Sequence, residues 1–131
     1  MRLGLFDSGI GGFTVLKKVT ELCPMTSFVY LADTARIPYG MKTNNEIVKI
    51  AEEITTWFNN QNIDGFLVAC NTTNAIALDV IKKKINVPVF DLIESTSSTI
   101  SEARVGVLAT PSTVKTKAYT RAILKFRTKT F

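Results

Sequence analysis

Cys70 is the residue of this 131-residue chain best suited to moving a proton. The chain has no histidine and two cysteines, so acid–base chemistry falls to Cys, Asp, Glu, Lys or Tyr. Cys70 closes the apolar run "GFLVAC", and "NTTN" after it supplies N-cap candidates for a following helix. A thiol at a helix start meets the positive end of the dipole, which favours the thiolate. Such a group can donate or accept a proton near neutral pH. The plainer reading is a packing cysteine, since free Cys is among the most buried residue types. Cys23, in "ELCPM" before Pro24, reads as packing at a helix end. The spacing of the two cysteines is neither a metal nor a redox motif, so no metal site is expected.

Two further stretches carry chemistry. "GLFDSGIGG" ends an apolar run on Asp7-Ser8-Gly9-Ile10-Gly11-Gly12. It lacks the lysine and spacing of a phosphate loop, and Asp7 would repel a phosphate. One reading is a tight strand-to-helix turn. The other is a site whose backbone N–H groups hold a carboxylate while Asp7 faces an ammonium, which suits an amino acid. "YLADTARIPYG" sets Asp33 and Arg36 as an ion pair or loop caps. Pro38-Tyr39-Gly40 is a rigid turn or a ligand contact.

These loops need a frame that brings them together. "LGLF" (3–6), "FVYLA" (28–32), "GFLVA" (65–69), "VPVF" (87–90) and "VGVLA" (105–109) are near-continuous apolar runs, as in strands buried on both faces. Between them, Phe13, Leu16, Val19 and Leu22 recur at helical spacing, as do Ile47, Ile50, Ile54 and Phe58, and then Ala77, Val80 and Ile81. The alternation predicts an α/β fold, a parallel sheet flanked by helices. In such sheets ligands bind beyond the carboxyl ends of the strands, so the loops opening at Asp7, Asp33 and Cys70 share one rim. The Ser/Thr-rich "DLIESTSSTISEA" reads as a partly helical connection and a domain boundary. Residues 1–95 then form a first lobe. Residues 96–131 hold the connection and the start of a second, with a strand at 105–109, a helix over about 112–125 and "RTKTF" as an uncapped end.

A hydrophobic content of 46% argues against disorder. The net charge of +5 comes from lysines such as those of "IKKKIN", read as solvated helix faces. No aromatic platform or groove-reading motif accompanies them, so nucleic acid is not expected as a partner. No apolar run approaches the ~20 residues of a membrane span, and none precedes Asp7 as a leader would. A cytoplasmic protein with free thiols is expected.

"GLFDSGIGGFTVLKKV", "YLADTARIPYG" and "VACNTTNAIAL", in this order, resemble glutamate racemases of the aspartate/glutamate racemase superfamily. The resemblance runs from residue 3 to about residue 120. It implies a cofactor-independent enzyme that uses two cysteines on opposite faces of the substrate α-carbon, with Cys70 the first and Asp7 assisting it. It places the substrate glutamate against Asp7 and Ser8, Tyr39 and Gly40, and Asn71 and Thr72. It also implies two α/β lobes, a homodimer at full length, and D-glutamate supplied to peptidoglycan. Thr73-Asn74 stand where that family often has Ala-Thr or Ala-Ser, and Glu94 where it has Gly or Pro. The family's second cysteine lies in a downstream "GCTHYP"-like motif that this sequence does not contain, so the chain is expected to carry half an active site and to be inactive alone. The alternative reading is a non-catalytic amino-acid-binding fragment; a structural domain with Cys70 in its core is a third.

Overall fold

Leu5 and Phe6 are neighbours in sequence and fully buried on opposite faces of one strand. That is possible only if helices cover the sheet on both sides. A computed structural model describes residues 1–127 and has this arrangement. The strands are β1 (Arg2–Asp7), β2 (Ser27–Ala32), β3 (Gly65–Val68) and β4 (Val89–Asp91). They form one parallel sheet in the order β2-β1-β3-β4. The central strands β1 and β3 are buried almost throughout, and β2 and β4 form the edges.

The helices are α1 (Gly12–Leu22), α2 (Asn44–Asn59), α3 (Asn71–Lys84), α4 (Leu92–Ser98), α5 (Pro111–Thr116) and α6 (Ala118–Arg127). On one face, Phe6, Phe66 and Val68 pack against Ile47, Ile50, Ile54 and Phe58 of α2 and Ala77 and Ile81 of α3. On the other, Leu5, Leu67 and Ala69 pack against Val15, Leu16 and Val19 of α1 and Leu92 of α4. A capping box starts α2, with the Thr43 hydroxyl and the Glu46 carboxylate exchanging backbone N–H bonds. Short crossovers through these helices keep every strand pointing one way. The carboxyl ends of the strands therefore lie along a single edge.

Three expectations need correction. Residues 105–109 form no strand. The run is exposed, with Leu108 fully open to solvent, and no described strand lies beside it to take its N–H and C=O groups. The helix expected over 112–125 is two helices, broken where Lys117 takes the left-handed conformation at φ 54°. The inward face of α1 runs through Val15, Leu16 and Val19; Phe13 and Leu22 are exposed, and Phe13 instead stacks on Tyr30. The connection after β4 is helical over Leu92–Ser98, capped by Asp91, whose Oδ1 accepts from the Glu94 N–H at 2.6 Å. Apart from Arg127, "RTKTF" lies outside the described residues. Among the described residues no helix is long and apolar enough to cross a membrane, and no cluster of metal-binding side chains occurs.

Candidate active site

Asp7 ends β1, Asp33 follows β2 and Cys70 follows β3, so the three expected loops do open on one edge of the sheet. Backbone bonds tie them together: the Asp33 N–H donates to the Asp7 carbonyl at 3.0 Å, and the Ala69 N–H to the Phe6 carbonyl at 2.8 Å.

The Asp7 carboxylate is buried, and its Oδ2 accepts from the Gly9 and Gly12 N–H groups, both at 3.0 Å. The glycine loop thus folds around Asp7. Two of the N–H groups expected to hold a ligand carboxylate are held by this one instead. Gly12 is required by close approach: a Cβ there would sit 2.6 Å from the Asp7 Cβ and 2.7 Å from the Tyr30 hydroxyl oxygen. Tyr30 donates to the Gly9 carbonyl at 3.3 Å. Burial, and then the negative charge of Asp7, push its phenol above the ordinary tyrosine range. Ser8 stands half-exposed between Asp7 and Gly9.

Asp33 and Arg36 do form the ion pair, with Arg36 Nε 2.6 Å from Asp33 Oδ2 and Arg36 Nη1 2.5 Å from Glu53. Asp33 also accepts a short bond from the Tyr39 hydroxyl. Tyr39 is buried in the same core cluster as Phe6 and Cys70. Burial first, and then its bond to Asp33, raise its pKa far above the ordinary value; the nearby Cys70 adds to the effect. Tyr39 is therefore a neutral donor whose hydroxyl is already engaged, and its phenol is anchored inside the protein. Gly40 packs directly against a residue far along the chain: a Cβ there would lie 2.9 Å from Thr110 Cγ2.

Cys70 occupies the N-cap position of α3 and is only 4% exposed. Its carbonyl accepts the first helical bond, from the Asn74 N–H at 2.9 Å. Cys23 is half-buried at the C-terminal end of α1. Because α1 runs back along the sheet from Gly12, Cys23 lies at the opposite edge from Cys70. Asn71 and Thr72 open α3; Asn71 is exposed and Thr72 buried.

The residues that sequence reasoning missed come from the segment after the connection. Thr110 Oγ1 lies 3.2 Å from Thr72 Oγ1 and 3.0 Å from Thr113 Oγ1. Ser112 donates to the Gly40 carbonyl at 3.1 Å, and the Tyr119 hydroxyl to Asn71 Oδ1 at 2.7 Å. Burial first, and then Asp91, raise the Tyr119 pKa. Thr110-Pro111 reads from sequence as a helix start, but nothing local signals that it closes over Gly40 and Thr72. The assembled rim offers the Cys70 thiol, the carboxylates of Asp7 and Asp33, and a ring of hydroxyl and carboxamide groups. These are suited to proton transfer at a small polar molecule.

Comparison with known proteins gives a consistent picture. The family model described as Asp/Glu/Hydantoin racemase matches residues 11–129. A curated glutamate racemase of Prochlorococcus marinus (strain NATL1A) is 78% identical over 131 residues, which are 100% of this chain and 49% of that protein. The structure of the Aquifex pyrophilus glutamate racemase superimposes with a TM-score of 0.88 at 41% identity, over 96% of this chain and 52% of that one. The Francisella tularensis glutamate racemase, solved in complex with D-glutamate, gives 0.92 at 37% identity, over 97% and 49%. The chain spans about half the length of the curated relatives it matches.

Proposed function

The chain belongs to the Asp/Glu/Hydantoin racemase family, and on that premise we propose that it is the N-terminal half of a glutamate racemase that interconverts L- and D-glutamate. In this reading Cys70 exchanges the α-proton on one face of the substrate. A second thiol, from a part of the protein beyond these 131 residues, serves the other face. Asp7 supports Cys70 or the substrate ammonium. Ser8, Tyr39, Gly40, Asn71 and Thr72 bind the substrate, with Tyr39 contributing through its backbone because its hydroxyl is committed to Asp33. Residues 1–95 are the first lobe and residues 96–131 lead into the second. The reaction uses no cofactor, and the complete protein is a cytoplasmic homodimer whose D-glutamate goes to peptidoglycan.

The observation that carries the reading is the meeting of Cys70 with Asp7 and the Tyr39 loop at one sheet edge. Removing an α-proton without an electron sink leaves a very unstable carbanion, so catalysis rests on positioning, exclusion of water and fixed donors. Buried hydroxyls and carboxamides at this rim are of that kind. The test joins residues 1–131 to the remaining half of the Prochlorococcus marinus racemase and measures D-glutamate formation. The joined protein is expected to be active and its Cys70→Ser variant to be inactive, since a serine hydroxyl is too weak an acid to replace a thiol near pH 7. Undiminished activity in a folded Cys70→Ser variant refutes the proposal.

A further inference from the structure

Asn74 carries a feature that its place in the first turn of α3 does not require. Its side chain is 5% exposed. The Nδ2 donates twice, to the Val68 carbonyl at 2.6 Å and to the Cys70 carbonyl at 3.1 Å. Val68 is the last residue of β3 and Cys70 the N-cap of α3, so one carboxamide grips the chain on both sides of the turn that presents Cys70. The other half of the group, Oδ1, is buried with no hydrogen-bond partner. A buried acceptor without a donor is costly. Packing alone does not favour a carboxamide here, since an apolar residue of similar volume would carry no orphaned oxygen. The bidentate grip is the return for that cost. It fixes the backbone from which the thiol projects at the head of α3, where the thiol itself makes no capping bond.

We infer that Asn74 is a positioning residue for Cys70, which its side chain holds at the head of α3 by clamping the carbonyls of Val68 and Cys70. The inference rests on the reading of Cys70 as the reactive thiol, and its test separates the two. Tyr39, from the loop after β2, interacts electrostatically with Cys70, and Asp7 ends the neighbouring strand; Asn74 itself lines a cleft with Asp79, Lys82, Asp91, Glu94, Arg121 and Lys125. Asn74 carries no charge, so substituting it changes no charge near Cys70; what it removes is the pair of bonds to the Val68 and Cys70 carbonyls, and a change at Cys70 is carried by that turn.

The experiment follows alkylation of Cys70 and Cys23 by iodoacetamide against pH, by peptide mass spectrometry, in the 131-residue chain and in its Asn74→Ala and Asn74→Ser variants. Ala removes both bonds. Ser keeps a hydroxyl able to reach the Cys70 carbonyl four residues back. The expected result is that the pH profile of Cys70 alkylation changes in Asn74→Ala, as the turn that presents the thiol loosens. Asn74→Ser should fall between Ala and the native chain, and Cys23 should not change. If Asn74→Ala unfolds, both cysteines react at the rate of the urea-unfolded chain, and Asn74→Ser decides. A Cys70 midpoint unmoved in a folded variant overturns the inference. If saturating glutamate fails to slow alkylation of Cys70 in the joined protein, the reading of Cys70 as the reactive thiol fails. The shift on substitution still reports whether Asn74 positions it.

Discussion

Asp7 commits one carboxylate oxygen to its own loop, taking the N–H groups of Gly9 and Gly12. The arrangement is tight enough to be tested at Gly12. A methyl group there would collide with Asp7 and Tyr30, so Gly12→Ala should destabilise the chain by about 1–3 kcal/mol in urea unfolding; an unchanged midpoint would mean the loop is looser than described. Tyr39 gives a test by pH. Its folded pKa is raised, chiefly by burial, above the ordinary value of 10.0. The unfolded phenol therefore loses its proton first. The associated stability is full below pH 10 and declines as pH climbs above it. In Tyr39→Phe that source of alkaline loss is gone, so stability should fall less between pH 9 and about 11 than in the native chain. An equal or steeper fall would contradict the buried, protonated phenol. Asp7 and Cys70 were legible as candidates because each stands where an apolar strand gives way to a polar loop, whereas Tyr39 lies further along the loop after β2. The use of the glycine N–H groups by Asp7, and of the Tyr39 hydroxyl by Asp33, was not legible, since backbone and side-chain partners at a loop depend on its path.

At the scale of elements, the four paired strands were readable because a strand covered on both faces is apolar along most of its length, and these runs are short and alternate with longer helical patterns. The same signal misled at 105–109, where apolar residues lack a neighbouring strand and remain exposed. A strand is a property of a pair, and composition reports only one member. Leu108→Asp should accordingly change the stability of this chain by less than about 0.5 kcal/mol, as for other surface positions. A loss of several kcal/mol would show Leu108 to be buried. The break between α5 and α6 was hidden because Lys117 is an ordinary helix residue by type, yet adopts a left-handed conformation here. Thr110, Ser112 and Tyr119 reach Thr72, Gly40 and Asn71 from 38, 72 and 48 residues away. Contacts at such separations leave no periodic trace in a sequence.

Taken whole, the molecule gathers one thiol, Cys70, at the carboxyl edge of its sheet and sets the other, Cys23, at the opposite edge. Two-sided proton exchange needs thiols on both faces of one carbon, and these two cannot meet across a glutamate. The 131-residue chain alone is thus expected to form no D-glutamate from L-glutamate at a useful rate. Turnover by this chain comparable to that of the joined protein would remove the two-thiol premise. Everything proposed for the reaction requires Cys70 to lie at the glutamate site. The measurement that reaches it directly is alkylation of Cys70 and Cys23 at neutral pH, mapped by mass spectrometry with and without saturating glutamate. Glutamate is expected to slow Cys70 and leave Cys23 unchanged. Protection of Cys23 with Cys70 unaffected, or no protection of either, would contradict it.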